Sequence, residues 1–284
     1  MQRKFLTSST AKRHSNLTVR LTGLATIALF VAIQPGCAMP QNASVPSTGL
    51  TASNPAEITA TFSIIAVDPE TGEVGAAVAS KYPAVGRVVP YVKAGVGAFI
   101  TQHYHNPPWG PQAIDMLAAG KMPEEILATL LKNDPRAGKR QLAVIAADGR
   151  AAQRHCDTAD DAGRWWGGMS GRFYACQGNT LTGPEVVVAM AKAYENTKGS
   201  MADRLMAALI AGDCAGGDHR GRLAAGLRVA KKGTDGIWFE LYVDKSDDAV
   251  IDLARKYVET NHQAKGAWPG GKAPFVHPCP ERAK

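Results

Sequence analysis

Thr61-Phe62-Ser63-Ile64-Ile65-Ala66-Val67, then Asp68-Pro69-Glu70-Thr71-Gly72, then Val74-Gly75-Ala76-Ala77-Val78-Ala79-Ser80 read as strand, turn and strand. The first run is β-branched and aromatic, as a buried strand requires. In the turn, Pro69 presets φ and Gly72 tolerates positive φ. A hydroxyl residue heads the first strand. If the folded part begins there, Thr61 can serve as an N-terminal nucleophile whose own α-amino group is the base.

The residues before this stretch read as an export signal and a spacer. Residues 1–37 hold Arg3, Lys4, Lys12, Arg13 and Arg20 with no acidic residue, followed by an apolar run from Leu21 to Ile33. Thirteen residues are too few to span a bilayer comfortably and suit the hydrophobic part of a secretion signal. Without those five charges the formal net charge falls from +7 to +2, so the basic balance belongs to the leader. Nucleic-acid binding therefore loses its electrostatic footprint, and we expect no nucleic-acid partner.

Gln34-Pro35-Gly36-Cys37 is similar to a bacterial lipobox, with Gln34 departing from the usual Leu; ordinary cleavage near Ala38 is the alternative. A lipid on Cys37 would be the chain's one membrane attachment. Residues 38–60, rich in Ser, Thr, Asn, Pro and Ala, read as a tether that cannot bury a core. A folded domain over 61–262 is long enough for one sizeable core. The tail, 263–284, is punctuated by Pro269-Gly270-Gly271, Pro274, Pro278 and Pro280 and reads as irregular. Setting Cys37 aside leaves Cys156, Cys176, Cys214 and Cys279, which allow three pairings; buried thiols are the alternative to a disulfide.

Within the domain the pattern predicts strands over Val88–Val92 and Val96–Gln102. Helices follow over Pro111–Ala119 and Pro123–Leu131, then a hairpin at Asp148-Gly149. Helices over Pro184–Tyr194 and Met201–Ile210 end near Gly199 and Gly212. Strands over Arg222–Val229 and Ile237–Val243 and a helix over Asp248–Val258 complete the order. Helix pairs grouped between antiparallel hairpins predict an α+β fold rather than a parallel sheet.

Several segments together resemble one family. They are Thr61 to Gly75, Ala79 to Gly86, Gly95 to Ala98 with Thr101-Gln102, Asp134-Pro135 with Arg140-Gln141, Gln177-Gly178-Asn179 with Leu181, and Ala215 to Gly221. The chain is similar to the domain-of-unknown-function 1028 family, classed as Ntn-hydrolase-like. That resemblance implies a four-layer αββα sandwich of two antiparallel sheets flanked by helix pairs, and hydrolysis of an amide bond. In two places the chain departs from the family pattern. A Ser-Ala-Ala-Leu run is replaced by Ala224-Ala225-Gly226-Leu227, and the Thr-Gly pair after Gly149 is replaced by Arg150-Ala151.

Thr61 is the lead catalytic candidate, with an ordinary β-forming threonine as the plain alternative. Cleavage at Ala60-Thr61 would have to release its amine. Ser63 shares a strand face with Thr61 and is expected to support it. Lys93, 32 residues on, stands at a spacing similar to that of the lysine in threonine-type Ntn enzymes such as proteasome subunits; a solvated strand-end lysine is the alternative. Gln177-Gly178-Asn179 reads as a loop whose Asn179 amide and Gly178 backbone can form an oxyanion hole. In the loop at Gly216-Gly217, Asp218 and Arg220 can order the chain or bind a polar substrate.

His103, His105, His155 and Cys156 offer a weaker metal alternative. No P-loop or dinucleotide fingerprint is present, so no cofactor is expected. The leading expectation is an exported amidohydrolase acting on a small amide or peptide. A catalytically silent binding or scaffold module of the cell envelope is the alternative, and self-association is left open.

Overall fold

The computed structural model describes residues 61–157, 164–234, 236–263 and 279, all within the unit Thr51–Lys284. The leader, the Cys37 lipidation site, the tether and all of the tail but Cys279 lie outside the described residues.

The strands are β1 (Thr61–Val67), β2 (Val74–Ser80), β3 (Pro90–Lys93), β4 (Gly97–Gln102), β5 (Gln141–Ala146), β6 (Ala151–Arg154), β7 (Trp165–Gly171), β8 (Tyr174–Leu181), β9 (Ala224–Ala230) and β10 (Ile237–Val243). The helices are α1 (Val85–Val88), α2 (Trp109–Ala118), α3 (Pro123–Leu131), α4 (Glu185–Asn196), α5 (Met201–Cys214) and α6 (Ala249–Gln263). The chain is thus a mixed α+β protein. One antiparallel sheet has six strands in the order β10-β9-β2-β1-β8-β7, and the other has four in the order β3-β4-β5-β6.

Local chemistry accounts for the element ends. Asp68 Oδ1 accepts the backbone N–H groups of Glu70 and Thr71 at 2.9 and 3.3 Å, which closes the β1–β2 turn. Pro123 opens α3 with Glu124 and Glu125 in its first turn, complementing the helix dipole. Ser200 and Asp203 form a reciprocal capping box at the start of α5.

Three apolar clusters hold these elements. Phe62, Ile64 and Leu227 on one face of the six-stranded sheet pack with Met190, Leu205, Leu209 and Leu253 of α4, α5 and α6. On its other face Ile65, Val67 and Val78 meet Ile100 and Ile145 of the four-stranded sheet. Phe99, Leu142 and Val144 then pack against Ile114, Leu117, Ile126 and Leu130 of α2 and α3. Strand β1 is buried along its whole length because its alternating side chains serve two of these clusters. Each large apolar side chain buried this way stabilises the fold by about 1.5–3 kcal/mol.

Three expectations are corrected, the first being the strand over Val88–Val92: Val88 ends α1 and the strand begins at Pro90. Gln177, Gly178 and Asn179 are not a loop. They lie inside β8, which pairs with β1 in the middle of the sheet, with Asn179 opposite Thr61. Its partner β7 was not foreseen because Gly167, Gly168 and Gly171 weaken the strand signal. Helix α5 does not end near Gly212 but continues to Cys214. A Cβ at Gly212 would stand 2.6 Å from Met190 Cγ, so the glycine lets α4 and α5 approach rather than stopping the helix.

Candidate functional site

The cluster between the sheets is apolar towards the β1–β2 turn and polar at the opposite end. There β1 contributes Thr61 and Ser63, β2 Ser80, β8 Gln177 and Asn179, β4 Gln102, and β5 Gln141, all with no solvent exposure. Strand alternation turns these residues into the gap while Phe62, Ile64 and Cys176 face the helices. Buried polar groups in such a place must find partners, and here they find one another.

Gln141 is the hub. Its Oε1 accepts from Gln102 Nε2 and from Asn179 Nδ2, both at 2.7 Å. Its Nε2 donates to the Gly178 carbonyl at 2.7 Å and to His155 Nδ1 at 3.1 Å. Burial, followed by the nearby Arg154, holds the His155 imidazole below the ordinary histidine range, which favours the neutral ring with Nδ1 as acceptor. Ser63 Oγ donates to Gln102 Oε1 at 2.8 Å, and Gln102 Nε2 reaches the Thr61 carbonyl at 3.4 Å.

The Thr61 hydroxyl donates to Ser80 Oγ at 3.2 Å, and Ser80 Oγ also accepts the Tyr82 backbone N–H at 3.0 Å. Gln177, fully buried opposite Ser63, has neither amide atom hydrogen-bonded among the described residues. Such a group is a donor–acceptor pair that a ligand can satisfy. The site is therefore a hydroxyl held among neutral amides and hydroxyls. A nucleophile here has donors for a developing oxyanion nearby and needs a base from elsewhere.

The structure brings Thr61, Ser63 and Asn179 together but leaves Lys93 apart. Lys93 pairs with Gly97 at the far end of β3 and β4, next to the β1–β2 turn, where the Gly95 N–H bonds the Gly72 carbonyl. Gln102, which touches Thr61, is at the other end of β4. The six residues of β4, roughly 17 Å, separate the two ends. Lys93 is therefore an exposed strand-end lysine.

The loop carrying Asp218 and Arg220 does flank the Thr61 end. Asp218 forms an isolated bridge with Leu181, the last residue of β8, and the Leu223 N–H bonds the Ser80 carbonyl. The Asp218 side chain is fully buried, and its Oδ1 accepts the Arg220 N–H at 2.9 Å, with the guanidinium at 3.5 Å. Burial pushes this carboxyl above the usual aspartate range despite those contacts. An ordering role for the loop fits this geometry.

His103 and His105 do not share a strand face, since β4 ends at Gln102 and His103 has φ 48°. The His103 ring packs edge-on to Trp166 at 4.6 Å, His105 Nε2 meets the Val88 carbonyl at 3.1 Å, and His155 faces Gln141. Among the described residues no three His, Cys, Asp or Glu side chains gather as a metal site would need. Sequence reading passed over Gln102, Gln141, Ser80 and Gln177 as site residues. For Ser80, Gln102 and Gln141 the available signal was a polar residue closing or opening an otherwise apolar strand, whereas Gln177 lies inside β8. Ala224 is buried directly opposite Ser80 and offers no hydroxyl to this end of the gap.

Fold and site together define a two-sheet α+β protein with a buried polar centre at the head of a central strand. The chain belongs to a family of unknown function, DUF1028, whose model matches residues 61–253. It is similar to the crystal structure of protein SPO2555 from Silicibacter pomeroyi, a DUF1028 protein. Identity is 29% and the TM-score 0.65, over 72% of this chain and 87% of that one. No curated protein matches this chain.

Proposed function

We propose that the protein is an exported N-terminal-nucleophile hydrolase of four-layer αββα architecture that cleaves an amide bond in a small amide or peptide. The observation that carries this reading is the position of Thr61. It heads a central strand, with its hydroxyl 3.2 Å from Ser80 inside a buried set of neutral donors and acceptors. Three apolar clusters alternating with two sheets support the layered architecture. The Cys214–Cys279 disulfide supports an oxidising compartment and hence export.

In this mechanism, cleavage of the Ala60–Thr61 bond releases an amine with a reference pKa of about 7.7–8.0. That amine takes the proton as Thr61 Oγ1 attacks the substrate carbonyl. The C–N bond breaks, the proton leaves with the departing amine, and water then hydrolyses the ester on Thr61. Ser80 orients the hydroxyl, and the amides of Asn179, opposite Thr61 in β8, and of Gln177, opposite Ser63, serve the oxyanion and the substrate.

A second reading, a catalytically silent binding or scaffold module, is favoured by Ala224, which presents no hydroxyl opposite Ser80. N-terminal sequencing and intact-mass analysis of the protein recovered from producing cells decide between them. A mature start at Thr61, with turnover of an amide panel abolished in Thr61→Ala, is the result expected of the hydrolase. A protein that keeps the residues before Thr61 and still cleaves an amide refutes the mechanism, and one that keeps them and cleaves nothing is the silent module.

A further inference from the structure

Next to the Thr61 end of the gap lies a cavity of about 390 Å³ bounded by Tyr82, Ala84, Val88, Tyr91, His105 and Pro107. That volume falls in the range typical of small-ligand sites. Tyr82 couples it to the polar centre, because its backbone N–H donates to the same Ser80 Oγ that receives the Thr61 hydroxyl. Two hydrogen bonds of 3.0 and 3.2 Å therefore separate the cavity wall from Thr61 Oγ1. On the opposite side, His105 follows three residues after Gln102, which touches the Thr61 carbonyl.

The His105 ring, the Tyr91 hydroxyl and the Arg87 guanidinium on this wall already have protein partners. His105 Nε2 meets the Val88 carbonyl at 3.1 Å, and the Tyr91 hydroxyl donates to the Pro107 carbonyl at 3.2 Å. Arg87, at the rim, pairs with Asp244 at 2.8 Å. The contact surface left to a ligand is made of aromatic, proline and valine faces, which suit a ring. Both segments that form the cavity also hold non-glycine residues in the left-handed region: Ala84 at φ 53° on one, His103 and Tyr104 at 48° and 55° on the other. Neighbouring structure must over-determine such a conformation for it to persist, and it recurs where a ligand is held.

We infer that this cavity is the subsite for an aromatic ring carried by the amide on which Thr61 acts. The inference rests on the reading of Thr61 as the reacting group, but its test does not need turnover. Binding of N-acetyl-L-phenylalaninamide and of N-acetylglycinamide is measured by calorimetry on the Thr61→Ala protein, and again with Val88→Trp or Val88→Glu added. Val88 is 37% exposed, so a larger or charged side chain fits there without disturbing the core. Urea unfolding checks that each variant folds.

The phenyl compound is expected to bind about tenfold or more tighter than the glycine compound, as apolar pockets discriminate. Either Val88 substitution is expected to erase that preference. Equal affinity for the two compounds, no binding of either, or a preference untouched in both folded Val88 variants overturns the subsite. Binding as expected with no cleavage by the unsubstituted protein overturns the Thr61 chemistry and leaves the subsite standing.

Discussion

Gln141→Leu should be among the most damaging single substitutions in the protein, although Leu is about the right size and apolar. In the folded chain the Gln141 carboxamide serves Gln102 Nε2, Asn179 Nδ2 and the Gly178 carbonyl, each at 2.7 Å and without solvent. Leucine removes that partner from all three groups, which lie where bulk solvent does not reach. Each buried polar group deprived of its partner costs about 1–3 kcal/mol. Three such groups sum to about 3–9 kcal/mol, comparable with the whole stability of many domains.

Gln153→Leu is the control, since Gln153 Nε2 makes one such bond, to the Cys176 carbonyl at 2.8 Å, and should cost about 1 kcal/mol. Urea unfolding at pH 7 with matched m-values reads the difference directly. Gln141→Glu sharpens the test. A carboxylate still accepts from Gln102 and Asn179 but faces the Gly178 carbonyl oxygen and His155 Nδ1 with no proton to give. Its folded pKa is therefore raised above the unfolded one, so the loss is full at neutral pH and shrinks as pH falls and the acid form donates to Gly178. If Gln141→Leu lies within about 1 kcal/mol of Gln153→Leu, or Gln141→Glu shows no recovery in acid, the hub does not hold this end of the sheets together.

The same titration logic gives opposite signs at two aspartates. Asp134 makes a two-pronged pair with the little-exposed Arg140, at 2.7 and 3.0 Å, and that hydrogen-bonded guanidinium holds its carboxyl below the ordinary range. Its contribution is present above the unfolded aspartate pKa near 4 and lost as pH falls through the lower folded value. Asp134→Asn should thus cost roughly 2–4 kcal/mol at pH 7 and little near pH 2, read by urea unfolding across pH. Asp218 is shifted the other way by burial, so its ionisation opposes folding as pH rises above the usual aspartate range. Asp218→Asn keeps an acceptor for the Arg220 N–H and should unfold at a higher urea concentration at pH 7, with the gain vanishing near pH 4; a lower midpoint at pH 7 contradicts this. Cys279→Ser opens a 65-residue loop closed by Cys214 and should lower stability by about 4 kcal/mol on the chain-entropy account, a loss that reductant should reproduce in the unsubstituted protein.

Much of the fold was legible because period-two and period-3.6 patterns are local. The strand Ile237–Val243 and the helix Pro123–Leu131 were read with their observed bounds, and the β1–β2 hairpin followed from its Asp-Pro-x-x-Gly turn. β7 was invisible for an equally physical reason. Three glycines carry no side-chain preference, and the strand exists because β8 offers it a ladder. The site divided in the same way. Thr61 and Ser63 stood out as hydroxyls on a buried strand, whereas Gln102 and Gln141 looked like ordinary polar residues at the ends of apolar runs.

From the chain alone came the α+β class, the order of its elements and the hydroxyl at the head of the first strand, because each depends on neighbours a few residues apart. Which residues meet that hydroxyl was decided only when two sheets stacked. Stacking set Gln102 and Gln141 from one sheet against Thr61, Gln177 and Asn179 of the other and left Lys93 at the far end. Register between strands distant in sequence is a property of the packed pair, since a slip of one residue would turn every one of these side chains to the opposite face.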